Sequence, residues 1–190
     1  MRRISLTIAL GILTISFKPL SYKTSNKNAV SSGGLNLSDT VLVIIKSENL
    51  SEDFSKNDEL LILAYVSKDS SVLDTAILKK RLTLTDQKMQ DEFQWKITPD
   101  LADKDLLIFL IEQDADTPIE QIDAILRIHS SNVINAFKNR NYSSIEKYLG
   151  DEDILGIKLL EKPDFNYPIE FYFRGLYRMD RYEYLLTFKK

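Results

Sequence analysis

The chain has 190 residues, 44% hydrophobic and 28% charged, which suits one globular domain with some length to spare at an end. It has no cysteine and a single histidine, His129. That excludes disulfides, thiolate metal sites and cysteine nucleophiles, and leaves too little imidazole for a zinc site or a serine–histidine triad. Residues 1–40 carry five basic groups (Arg2, Arg3, Lys18, Lys23, Lys27) against Asp39, whereas the remainder carries 20 basic and 27 acidic groups. A body of that sign repels phosphate backbones, so no nucleic-acid partner is expected.

The first segment, MRRISLTIALGILTISF, sets two arginines before an apolar run from Ile4 to Phe17. About 14 residues fall short of the roughly 20 that cross a bilayer as a helix. The expectation is therefore a signal peptide, or an uncleaved N-terminal anchor, over 1–20, leaving no transmembrane helix in the mature chain and a secreted or periplasmic destination. Residues 21–38, rich in Ser, Asn, Lys and Gly, read as a flexible spacer before a body over 39–190.

Within the body the hydrophobic period is mostly two. VLVIIK (41–46) is a continuous apolar run, and LLILAYV (60–66) follows the polar stretch SENLSEDFSKNDE. AILKKRLTL (76–84) is amphipathic; EFQWKI (92–97) alternates, with Phe93, Trp95 and Ile97 on one side and Glu92, Gln94 and Lys96 on the other. DLLIFLIE (105–112) comes next. A helical insert over 117–150 then interrupts the pattern. Thr117-Pro118-Ile119-Glu120 has the form of a capping box with proline at the first helical position, where its missing N–H costs nothing. Ile119, Ile122, Ile125, Leu126, His129, Val133 and Phe137 recur at three- and four-residue spacing, which makes one apolar stripe, with His129 as a packing residue on it. SSIEKYL (143–149) reads as a second helix ended by Gly150 as a left-handed cap. ILGIKLLE (154–161), IEFYFRGLY (169–177) and YEYLLTF (182–188) complete the chain, the last two joined as a hairpin through Arg178-Met179-Asp180-Arg181.

Short strands with one apolar face each must bury those faces against one another. The expected class is all-β: an eight-stranded antiparallel β-sandwich with a helical insert between strands five and six. An α+β sheet with the helix across one face is the structural rival.

Acidic residues gather in the loops. VLVIIKSENL is followed by Asp53 and Asp58; the strand LLIFLIEQDAD ends on Asp114 and Asp116; and GDEDILGIKL brings Gly150-Asp151-Glu152-Asp153-Ile154-Leu155-Gly156. This succession over 41–190 resembles the C2 domain, an eight-stranded sandwich whose members commonly bind calcium and phospholipid through loops at one edge. The resemblance implies a calcium site at Asp53, Asp58, Asp114, Asp116 and Asp153. Calcium takes six to eight oxygens, the chemistry that carboxylates on adjacent loops supply. The sequence departs from the family where Asp58 is followed by Glu-Leu, and where 34 residues separate Asp116 from the acidic turn. For an exported protein such a site would be weak, on the order of 10⁻⁴ to 10⁻³ M, and structural. Solvated loop acids are the plain alternative.

Lys79, Lys80 and Arg81 could present a basic surface to phosphorylated lipid heads, as the resemblance implies for this strand, or belong to an edge strand that lysines keep from pairing. Successive strand residues face opposite ways, so at most two of the three share a face. The C-terminal tyrosines offer another alternative, an adhesion or carbohydrate-binding sandwich without metal, with Tyr172 outward and Tyr182 and Tyr184 on one face. No acids are marked out as facing each other across a cleft, as glycoside hydrolysis requires. The expectation is thus a non-catalytic module that recognises a lipid or protein surface.

Overall fold

A computed structural model describes residues 39–49, 57–68, 72–101, 104–163, 165, 167–177 and 180–190. The signal peptide and spacer expected over 1–38, and Asp53, lie outside the described residues. In chain order the elements are β1 (Asp39–Asn49), β2 (Asn57–Lys68), β3 (Val72–Leu73), β4 (Leu78–Thr85), β5 (Gln90–Ile97), β6 (Leu106–Glu112), α1 (Ile119–Ile128), α2 (Ser130–Asn139), α3 (Ser143–Leu149), β7 (Asp153–Leu160), β8 (Ile169–Tyr177) and β9 (Asp180–Lys189). A short 3₁₀ turn, Pro99–Leu101, precedes β6. The described residues are therefore mostly β, with two antiparallel sheets and three short helices.

One sheet has the order β5-β1-β9-β8; the other runs β3-β2-β6-β7, with β4 also paired to β2. All pairings are antiparallel. Side-chain alternation explains how the sheets are covered. In β5, Trp95 and Ile97 are buried while Glu92, Gln94 and Lys96 are exposed, the mark of a strand with one wet face. β2 and β6 differ: from Leu60 to Val66 and from Leu106 to Ile111 no residue is more than 6% exposed. Such runs demand cover on both sides.

Both covers are present. Leu60, Ile62, Ala64, Leu106, Ile108 and Leu110 join Val41, Val43, Ile45, Leu186 and Phe188 of the other sheet in one apolar cluster. Their neighbours in sequence, Leu61, Leu63, Tyr65, Leu107, Phe109 and Ile111, form a second cluster with Ile122, Leu126, Val133, Ile145 and Leu149 of the helices. Burying each such side chain contributes about 2 kcal/mol relative to exposure, so the doubly covered strands carry much of the stability. The layers are sheet, sheet, helices, and the features of both rival readings coexist.

Several local expectations are corrected. Among the described residues strands number nine, not eight, because the two-residue β3 pairs with Ser67 and Lys68, and the helices accordingly lie between β6 and β7. The apolar stripe is shared by two helices, which break at His129 (φ −98°, ψ 24°). There the imidazole stacks on Tyr148 of α3, ring centroids 3.7 Å apart, which gives the break a packing partner. The capping box does not form: Pro118 is the N-cap, without a side-chain cap bond, and the Thr117 carbonyl is used elsewhere. Gly150 has positive φ (77°), but its ψ of −117° lies outside the left-handed helical region.

Candidate functional site

Register brings the acidic segments to one end of the helix-covered sheet. Leu60 opposes Glu112 across β2 and β6, and Glu112 opposes Asp153 across β6 and β7. The start of β2, the end of β6 and the start of β7 are thus neighbours. Of the expected ligands, Asp58 is fully buried and accepts a hydrogen bond from the Tyr184 hydroxyl of β9. Asp114 and Asp116 are exposed on the loop after β6, and Asp153 is half-buried at the start of β7.

The loop after β6 borders an open cleft of about 320 Å³ lined by Asn57, Glu59, Glu112, Gln113, Asp114, Ala115 and Asp116. Four of these residues, Glu59, Glu112, Asp114 and Asp116, are acidic. Sequence rules explain its floor. Glu112 and Gln113 are the first polar residues after a doubly covered strand, so they are only 2% and 6% exposed. Gln113 extends the ladder, its N–H donating to the Glu59 carbonyl at 2.8 Å. Its Nε2 donates to the Thr117 carbonyl at 3.3 Å, and the same carbonyl accepts from Arg81 Nη2 at 2.9 Å. Those two bonds pin the loop from behind. Gln113 Oε1 is buried and receives no hydrogen bond from the described residues.

Among the described residues, no three Asp, Glu or His side chains stand where they could together hold a metal ion.

A second acidic patch flanks β7. Glu146 Oε1 of α3 accepts from the Ile154 N–H at 3.3 Å, and burial together with the nearby Asp153 charge raises its carboxyl above the usual range despite that bond. The Tyr182 hydroxyl donates to the Leu155 carbonyl at 3.1 Å; burial, then the charge of Glu146, pushes its pKa up to about 12. Glu152, between them in sequence, is 1% exposed.

Lys79, Lys80 and Arg81 divide as their parity dictates. Lys79 and Arg81 face the helices, and Lys80 points the other way, its ammonium 5.4 Å from the centre of the Phe93 ring. Lys79 Nζ lies 2.8 Å from Asp123 Oδ2 of α1. Asp123 also accepts from the Tyr65 hydroxyl at 3.0 Å and the Ala76 N–H at 3.4 Å, with Arg127 Nε at 3.5 Å. Burial pushes the Asp123 carboxyl up, but the hydrogen bonds from Lys79 and Tyr65 and the two basic charges outweigh it, leaving the group below the usual range. Burial and the adjacent Asp123 raise the Tyr65 hydroxyl well above its ordinary value. Lys79 and Arg81 are engaged in holding the helical layer to β4.

The tyrosine face is also redistributed. Tyr184 is fully buried and Tyr182 turns inward beside it, so the two form no outer platform. Tyr172 is 43% exposed, and the Arg174 guanidinium sits 4.7 Å from its ring centre.

No family model matches the chain, and no curated protein matches it. Among the described residues no helix is long and apolar enough to cross a membrane.

Sequence reasoning left Asn57, Glu59, Glu112, Gln113 and Asp123 out of the candidate set. A signal existed for two of them. Glu112 ends an apolar run, and Asp123 follows Ile122 and precedes Leu126 by three, on the buried side of α1.

Proposed function

We propose that the chain is an exported, non-catalytic binding domain, a C2-like β-sandwich that recognises a protein surface through its acid-lined end. The single observation that carries this reading is the cleft beside the loop after β6, which Glu59, Glu112, Asp114 and Asp116 line together with the buried Gln113. Concave sites with a few buried polar groups are where ligands are recognised. Asp58 and Asp123, the most deeply buried aspartates, are bound up in links between elements, which favours binding over acid–base chemistry. The N-terminal apolar run after two arginines supports export.

The calcium suggested by the C2 resemblance belongs at this same end, with Asp114 and Asp116 as its first ligands. Thermal melting of the full chain in about 5 mM calcium, against sodium of equal ionic strength, tests it, because a ligand held only by the folded state raises the midpoint. A rise that disappears in the Asp114→Asn, Asp116→Asn double variant supports calcium. An unchanged midpoint removes calcium and leaves the acidic end to ligands of another kind. The exposure of Tyr167 (64%) and Tyr172 favours a second reading, carbohydrate adhesion along β8. Retention on polysaccharide that is lost on Tyr172→Ala would support it.

A further inference from the structure

Independently of what the acid-lined end recognises, we infer that two copies of this chain pair along β8, edge to edge and antiparallel, about a twofold axis at Tyr172. Among the described residues β8 pairs with β9 alone, so its other side offers a row of backbone donors and acceptors. An antiparallel register centred on Tyr172 sets Glu170 of one copy opposite Arg174 of the other, Phe171 opposite Phe173, and Tyr172 opposite itself. Both acid–base pairs fall on the outer face, where Glu170, Tyr172 and Arg174 are all exposed. The strand is its own complement in charge.

Arg174 is already placed for this pairing. Its guanidinium lies 4.7 Å from the centre of the Tyr172 ring, and its Nε and Nη2 both reach Oε1 of Glu183 on β9. Neither contact uses Nη1, which carries two further N–H groups for a carboxylate arriving from the second copy. On the inner face Phe171, half-buried at the margin of the sheet–sheet cluster, gains cover. Other edges carry devices against pairing. β4 has Lys79, Lys80 and Arg81 in succession, so a self-paired register over them sets like charges opposite each other. β7 turns Lys158 inward, its ammonium 5.4 Å from the centre of the Phe173 ring, and the Tyr182 hydroxyl occupies its Leu155 carbonyl. β5 repeats the charge order, Glu92 and Lys96 about Gln94, but has an amide at the centre where β8 has an aromatic ring, and lysine where β8 has arginine. Main-chain hydrogen bonds supply the affinity, and the charges choose the register.

Sedimentation equilibrium of the full chain tests this. The expected result is a reversible dimer, twice the mass of one chain. Glu170→Arg alone, or Arg174→Glu alone, puts like charges opposite each other and yields single chains. An equimolar mixture of these two variants, each shown to be folded by circular dichroism, regains the dimer, because their β8 strands complement one another. The exchange Glu170→Arg, Arg174→Glu within one chain also dimerises, and Glu92→Lys on β5 leaves the dimer intact. A wild-type chain that stays single at every concentration, a dimer that survives either single reversal, or folded variants that fail to recombine overturns the inference. Loss of the dimer in Glu92→Lys overturns it and moves the seam to β5; mass growing beyond two chains overturns it in favour of head-to-tail pairing of β5 with β8.

Discussion

Asp58 on β2 accepts a hydrogen bond from the hydroxyl of Tyr184 on β9, joining the two sheets at the acid-lined end. The residues are 126 positions apart, and both are fully buried. This bond gives an acid expected as a ligand a part in joining the sheets. Tyr184→Phe removes the donor and leaves a buried carboxylate with one partner fewer, at a cost of about 2 kcal/mol. Urea denaturation should show the lower midpoint with an unchanged slope. An unaffected midpoint would show that the bond contributes nothing to holding the sheets together.

Asp123 should matter more, because it ties α1 to β2 and β4 at once. Asp123→Ala strands Lys79 and the Tyr65 hydroxyl beside a void, and should cost about 3 kcal/mol, roughly 9 °C in Tm. The pH dependence has a defined sign. The folded carboxyl ionises below the usual range, so its contribution is complete above the unfolded value of about 3.9 and is lost as pH falls through the lower folded value. The difference in Tm between wild type and Asp123→Ala should therefore narrow as pH is lowered below about 3.9.

Glu146 carries the opposite sign. Its carboxyl is raised by burial and by Asp153, so the folded state favours the neutral form and is destabilised as pH rises through the shifted value. Glu146→Gln keeps an oxygen for the Ile154 N–H and removes the like charge. Tm should rise by about 2 °C at neutral pH, with the gain fading as pH falls through the raised value and gone by about pH 4. A loss of stability at pH 7 would mean that the charge is useful.

Gly156 sits where β7 bulges opposite Leu110 and Ile111, and a Cβ there would lie 2.7 Å from Cδ1 of the buried Phe173. Gly156→Ala should cost about 2 kcal/mol through overpacking. Phe173→Leu placed on top of it should recover part of that loss, a non-additivity that circular dichroism melts would read directly.

The sequence told most where one face of a strand is wet. Phe93, Trp95 and Ile97 declare their side because Glu92, Gln94 and Lys96 declare the other. The runs at 60–66 and 105–112 were readable as strands, yet period-two logic cannot say what covers each face when both are dry. β3 escaped because two residues leave no period to detect. The helix pair was legible as a stripe, but its break depends on His129 meeting Tyr148 across the fold. The link from Asp58 to Tyr184 is likewise a product of tertiary structure. So is the juxtaposition of Asp153 with Glu112, which the intervening helices bring together after a long excursion.

The most direct test of the acid-lined end is a two-dimensional amide NMR titration of the full chain with calcium chloride, against sodium chloride of equal ionic strength. Shifts should concentrate at Asn57, Glu59 and Glu112 to Asp116, and vanish in the Asp114→Asn, Asp116→Asn double variant. Shifts centred instead on Tyr172 and Arg174, with the loop after β6 silent, would contradict recognition at this end and move it to the outer face of β8.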